Sequence, residues 1–114
     1  FTPQDNTIMT AELAIFEKFT EAGIPHYTGA DSFALNGAFC GYGVNYAELG
    51  TATADMAVEV LVNGANPGEM AVRTLDRGIV TVNTETAQAV GIDYSVFAEM
   101  CSKLVETVTA EEFE

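Results

Sequence analysis

Apolar residues recur at helical spacing near the start of the chain. Ile8, Met9, Leu13, Phe16 and Phe19 fall on the core side of a helix expected from about Thr7 to Ala22, with Glu12, Glu17, Lys18 and Glu21 facing water. The opening Phe1–Asn6 reads as the end of a strand running into that helix, and Asp5 and Asn6 are both residue types that cap orphan N–H groups. Gly23 suits the left-handed position after the helix, and Pro25 prevents its continuation.

The pattern then shifts to short extended runs. Ile24–Thr28 predicts a strand, with Pro25 tolerated at its start, followed by a loop over Gly29–Gly37 with room for a helical turn. Phe39–Val44 predicts a second strand, whose Gly41 and Gly43 imply close approach by another backbone or by a ligand. Asn45 and Glu48 make a capping-box pattern for a long helix with Leu49, Thr53, Met56, Ala57, Val60 and Leu61 as its buried face, closed by Asn63-Gly64 and Pro67. Ala71–Leu75 and Ile79–Val82 are expected as short strands around the turn Asp76-Arg77-Gly78. Asn83 or Thr84 caps a short helix ending at Val90, with Gly91 as its stop, and a last helix is expected over about Tyr94–Val105. The acidic tail Glu106–Glu114 is expected to fray.

Strands alternating with helices imply an α/β fold of three layers, a mainly parallel sheet flanked by helices. The expected organisation is a partial lobe over residues 1–93, followed by a C-terminal helix and acidic tail over 94–114. The sheet is thin for such a fold, and its first strand starts abruptly at Phe1.

Composition narrows the function classes. Four Lys+Arg against 17 Asp+Glu give a formal charge of −13, which repels nucleic acid and anionic membrane surfaces. Cys40 and Cys101 lack any CxxC spacing, which argues against a zinc finger or a thioredoxin-type site and makes two buried free thiols the default. No stretch approaches the ~20 apolar residues that span a bilayer, and no signal-peptide pattern is visible in a chain that starts with Phe1. GxSxG, P-loop, GxGxxG and HExxH motifs are all absent; Gly41-Tyr42-Gly43 is only a fragment of a dinucleotide fingerprint. His26 beside Pro25 reads as a packed or edge residue, and no enzyme activity or cofactor is expected.

Three stretches taken together carry a resemblance. They are Asp5-Asn6-Thr7 opening a helix, Glu21-Ala22-Gly23-Ile24-Pro25 leading to Asp31, and Asn36-Gly37-Ala38 followed by Gly43-Val44-Asn45-Tyr46-Ala47-Glu48-Leu49-Gly50. The order continues through Thr51–Leu61, Asn63–Pro67, Val80–Asn83 and Ala87–Ile92. The pattern resembles the substrate-binding proteins of ABC importers, of the type that includes tryptophan- and tyrosine-binding members, with the type I periplasmic-binding-protein fold. It covers about Pro3–Asp93 and departs from the family at Ala30-Asp31, at Ala47 and from Tyr94 onward. The resemblance implies the last third of a two-lobed protein with its N-terminal lobe missing. It further implies an amino acid as small-molecule ligand, a membrane permease as partner, and a periplasmic or lipoprotein location outside the cytoplasm. The effector-binding domain of a transcription regulator, which uses the same fold, is the alternative.

In open parallel sheets, ligands bind beyond the carboxyl ends of the strands. The loops in that position offer Gln4, Asp5 and Asn6, then Asp31, Ser32 and Phe33, then Asn45 and Tyr46 as ligand-binding candidates. Helix starts suit a ligand carboxylate, Asp31 suits an ammonium group, and Phe33 and Tyr46 suit a ring or aliphatic side chain. Simpler roles stand beside these: Asp5, Asn6 and Asn45 as caps, Asp31 as a turn carboxylate, Asn36-Gly37 as a turn. A lone fragment of this kind is expected to bind ligand weakly and to self-associate through exposed strand edges and apolar surface.

Overall fold

Asp5 starts the first helix. In the computed structural model, which describes residues 1–75 and 77–110, its Oδ1 accepts the N–H groups of Thr7 (2.9 Å) and Ile8 (3.1 Å), and α1 runs Asn6–Glu21. After the helix Gly23 adopts φ 68°; its N–H donates to Thr20 O, and that of Ile24 to Phe19 O, closing the last turn. One assignment on α1 is corrected: Glu12 is fully buried, whereas Leu13 is 46% exposed. Helical spacing accounts for the exchange, because Glu12 stands four residues from both Ile8 and Phe16 and so occupies their row.

The elements continue as β1 Tyr27–Thr28, α2 Asp31–Leu35, β2 Cys40–Gly43, α3 Tyr46–Leu61, a 3-10 turn Pro67–Glu69, β3 Ile79–Asn83, α4 Thr84–Val90, α5 Phe97–Met100 and β4 Lys103–Thr107. They form two compact units, Phe1–Gly43 with Arg77–Glu114, and Val44–Asp76.

The first unit holds the whole sheet, in the order β1-β2-β3-β4. β1 and β2 run parallel (Tyr27 opposite Cys40), β2 and β3 antiparallel (Gly43 opposite Ile79), and β3 and β4 parallel (Val80 opposite Leu104). Mixed direction follows from connection type: helices carry the chain between the parallel pairs, whereas the return from β2 to β3 reverses direction. One core cluster gathers Phe39, Cys40, Val80, Val82, Ala87 and Cys101, with Val90, Ile92, Tyr94, Phe97 and Leu104 packed against it. A second joins Ala30, Phe33 and Ala38 to Ile8 and Met9 of α1. Phe33 and Phe39 are wholly buried, each contributing about 1.5–3 kcal/mol.

Asn83 ties this unit together. Its Oδ1 caps α4 through Thr86 N–H (3.0 Å), and its Nδ2 donates to Ala34 O and Thr109 Oγ1 (both 2.9 Å). Gly91 ends α4 at φ 71°, as its position after the periodic run predicts.

The expected helix over Tyr94–Val105 is corrected: α5 is a single turn, Cys101 turns extended (φ −115°, ψ 167°), and the chain enters β4. The alternation Lys103, Leu104, Val105, Glu106 with a β-branched residue suits a strand beside β3 better than a helix face. Glu106 and Thr107 are therefore paired, and Ala110 N–H donates to Leu35 O (2.9 Å), so this part of the tail does not fray. Glu111–Glu114 lie outside the described residues.

In the second unit Asn45 Oδ1 accepts Glu48 N–H at 3.2 Å and starts α3, as expected. The burial expected for Leu49, Thr53, Met56, Ala57, Val60 and Leu61 is not found: α3 has no buried residue, and Leu61 is 83% exposed. Ala71–Leu75 is not a strand either. Beside α3 the described residues of this unit form a 3-10 turn and irregular chain, with no strand.

Cys40 and Cys101 are free and buried, as expected. Burial pushes the Cys40 thiol up to about 11, which removes the reactive thiolate at neutral pH. A thiol reagent at pH 7 should therefore label neither cysteine in the native protein and both in denaturant; prompt native labelling would contradict this packing.

Candidate functional site

Thr2 extends the sheet beyond β1. Its N–H donates to Tyr27 O (2.9 Å), its carbonyl accepts Gly29 N–H (3.0 Å), and it bridges Thr28 in parallel. Thr2, β1 and β2 thus share one direction. Their carboxyl ends, Pro3–Asn6, Gly29–Asp31 and Gly43, consequently leave along one edge of the sheet in the first unit.

Close backbone approach builds this edge. A Cβ on Gly29 would stand 3.0 Å from Gln4 N, so the opening segment lies directly on the turn after β1. A Cβ on Gly41 would fall on the carbonyl oxygen of Ala30, so the start of α2 presses against β2. The glycine signal in Phe39–Val44 therefore reports another backbone.

Gln4, Asp5, Asn6 and Asp31 are exposed and Ser32 is half-buried. Asp5 acts as the cap of α1, while Asp31 Oδ1 accepts Ser32 N–H at 2.9 Å at the start of α2. Two carboxylates thus stand on loops of this edge. Ser32 also lines a shallow, mainly apolar depression of about 270 Å³ with Met9, Thr10, Leu35 and Asn36. Phe33 is in the core, holding α2 against α1, with no surface left for a ligand. Asn45 and Tyr46 belong to the second unit, where Asn45 caps α3 and Tyr46 is 70% exposed.

Sequence reasoning missed the network beneath the edge. Glu12 Oε1 meets His26 Nδ1 at 2.8 Å, and His26 Nε2 meets Thr2 Oγ1 at 2.7 Å. Phe19 covers the imidazole with ring centroids 4.8 Å apart. Burial pushes the Glu12 carboxyl above its ordinary range, opposed by the hydrogen bond and charge of His26. Its Oε2 is buried without a partner among the described residues. A signal was present: Glu12 interrupts the apolar row of α1, and a carboxylate there requires a buried partner. Among the described residues no group of three or more His, Cys, Asp or Glu side chains is placed to hold a metal, and no helix is long and apolar enough to cross a membrane.

Comparison with known proteins adds a family. Residues 1–104 match the model of the family described as ABC transporter substrate binding protein. A tyrosine-binding protein from Clostridioides difficile (strain R20291) is 29% identical over 89 residues, covering 78% of this chain and 26% of that protein. The ligand-free, open structure of a substrate binding protein with adhesive properties from Clostridium difficile superposes with a TM-score of 0.80 at 28% identity, over 95% of this chain and 35% of that one. An ABC domain from Streptococcus pneumonia in complex with L-Trp gives a TM-score of 0.59 at 25% identity, over 89% of this chain and 35% of that one. The chain thus spans about a quarter to a third of the length of these relatives.

Proposed function

Because the chain belongs to the ABC transporter substrate binding protein family, we propose that it supplies one wall of a ligand cleft in the solute receptor of an importer. The ligand is an amino acid, with aromatic side chains favoured. The observation that carries this reading is the shared edge where Thr2, β1 and β2 end, with Gln4, Asp5, Asn6, Asp31 and Ser32 on its loops. Asp31 takes the ligand ammonium, since an exposed carboxylate on this edge is free to accept charge-assisted hydrogen bonds from a cation. On the second unit, taken by itself, the largely exposed Tyr46 is a candidate for apolar contact and Asn45 for polar contact. No bond is made or broken: the ligand stabilises a closed state by touching both lobes.

A tyrosine-binding relative and a neighbour solved with L-Trp support the ligand class. The receptor works outside the cytoplasmic membrane, where it delivers the ligand to a permease. Residues 1–114 alone bind weakly and self-associate in this reading, because the opposing wall is absent.

Calorimetry on the complete gene product with L-tyrosine and L-tryptophan tests the assignment. Binding of either is expected, and Asp31→Ala should weaken it about tenfold or more, the cost of one charge-assisted hydrogen bond. If neither amino acid binds, nor any other of a standard panel, the amino-acid reading fails. If Asp31→Ala binds like the parent, Asp31 is a turn residue only.

A further inference from the structure

Thr2, His26 and Glu12 form a continuous chain from the candidate ligand edge into the core. Thr2 is the residue from which the Pro3–Asn6 loop departs, and both of its backbone polar groups are bonded to the strand end at Tyr27 and Gly29. Its hydroxyl is held at 2.7 Å by His26, which Glu12 holds in turn at 2.8 Å. His26 is buried and Glu12 completely so. The groups that face the imidazole are Glu12 and Phe19 from α1 and Thr2 from the opening segment, so Glu12 is its charged neighbour.

We propose that Glu12 and His26 are positioning residues for the ligand loop, acting through the Thr2 hydroxyl on Gln4, Asp5 and Asn6. The inference rests on the amino-acid-binding reading for its ligand, but the coupling exists without one. Proton bookkeeping gives the network two settings. A Glu12 carboxyl that keeps its proton donates to Nδ1, which leaves the ring hydrogen on Nε2 to donate to Thr2 Oγ1. A Glu12 carboxylate accepts Nδ1–H, and a neutral ring then accepts from the Thr2 hydroxyl at Nε2. With a neutral ring, the protonation of Glu12 therefore sets the direction of the hydrogen bond at Thr2. The Oε2 of Glu12, which has no partner among the described residues, favours the neutral carboxyl, because an orphaned anionic oxygen in the core costs far more than a carbonyl-like one.

The test uses the complete gene product in two arms. In the ligand-free arm, NMR should show the Thr2 and Gly29 amide resonances titrating together in the parent and losing that titration in Glu12→Gln. In the ligand arm, with L-tyrosine and L-tryptophan as probes, Thr2→Val should bind about tenfold more weakly, and Thr2→Ser should come back to within about twofold of the parent. Thermal unfolding of each variant separates lost positioning from lost folding: a folded Thr2→Val with weakened binding supports the proposal. Amide resonances that do not titrate, or a folded Thr2→Val that binds like the parent, overturn it. Titrating amides in a protein that binds neither amino acid would leave the network standing and overturn the ligand reading instead.

Discussion

Gly41→Ala should cost the first unit about 3 kcal/mol or more and prevent much of the protein from folding. The methyl group would land on the carbonyl oxygen of Ala30, with Asp31 N only 3.0 Å away. These are backbone atoms at the start of α2, so no side-chain rotation relieves the clash. Relief requires moving α2, and α2 carries Phe33, which anchors one of the two cores. Gly50→Ala is the control: Gly50 lies inside α3 with nothing within 4 Å of its would-be Cβ. There the substitution should stabilise the helix by about 1 kcal/mol, because alanine loses less backbone entropy. Urea unfolding of the two variants beside the parent decides the matter. A Gly41→Ala protein as stable as the parent would show that α2 does not press on β2 as described.

The second large effect is expected at Glu12. Glu12→Ala removes one member of a buried pair and leaves His26 without a partner at Nδ1, at a cost of about 3 kcal/mol. Glu12→Gln should cost much less, because the amide still offers Nδ1 a polar partner at the same place, an N–H to donate or an oxygen to accept. The pH dependence has a definite sign. Burial raises the Glu12 carboxyl above its ordinary value of 4.5, so the native state keeps a proton that the unfolded chain has released. Stability is therefore complete below that ordinary value and is lost as pH rises through the raised one. The many other carboxylates of this acidic chain also lower stability as they ionise. For that reason the quantity to measure is the difference in urea midpoint between parent and Glu12→Gln from pH 4 to pH 8. The gap should shift against the parent as pH rises, and a constant gap would show that Glu12 does not titrate in this range.

The legible parts of this fold were those governed by local chemistry. Asp5, Asn45 and Asn83 announced the helices they cap, and Gly23 and Gly91 announced the ends, because each acts within a few residues. The α/β class followed from strands separated by helices. What escaped the sequence depends on partners far along the chain. Lys103–Thr107 became a strand because β3 offered an unpaired edge, which no short window reveals. Ala71–Leu75 has comparable composition but no such neighbour. The α3 face has the spacing of a buried helix, but spacing cannot say whether anything covers it. At the candidate site, sequence supplied the loops at the strand ends. It could not tell that Phe33 turns inward while Asp31 stays outside, nor that Glu12 finds His26 fourteen positions away.

The direct antiparallel pairing of β2 with β3 bears on how this chain folds. Gly43 and Ile79 are ladder partners, so the roughly 35 residues between them form one long excursion from a junction that a tight hairpin could close. Closing a loop of that length rather than a four-residue turn adds about 2 kcal/mol of chain entropy. That cost falls on the step that joins the two halves of the sheet, which raises the contact order of the fold and slows it.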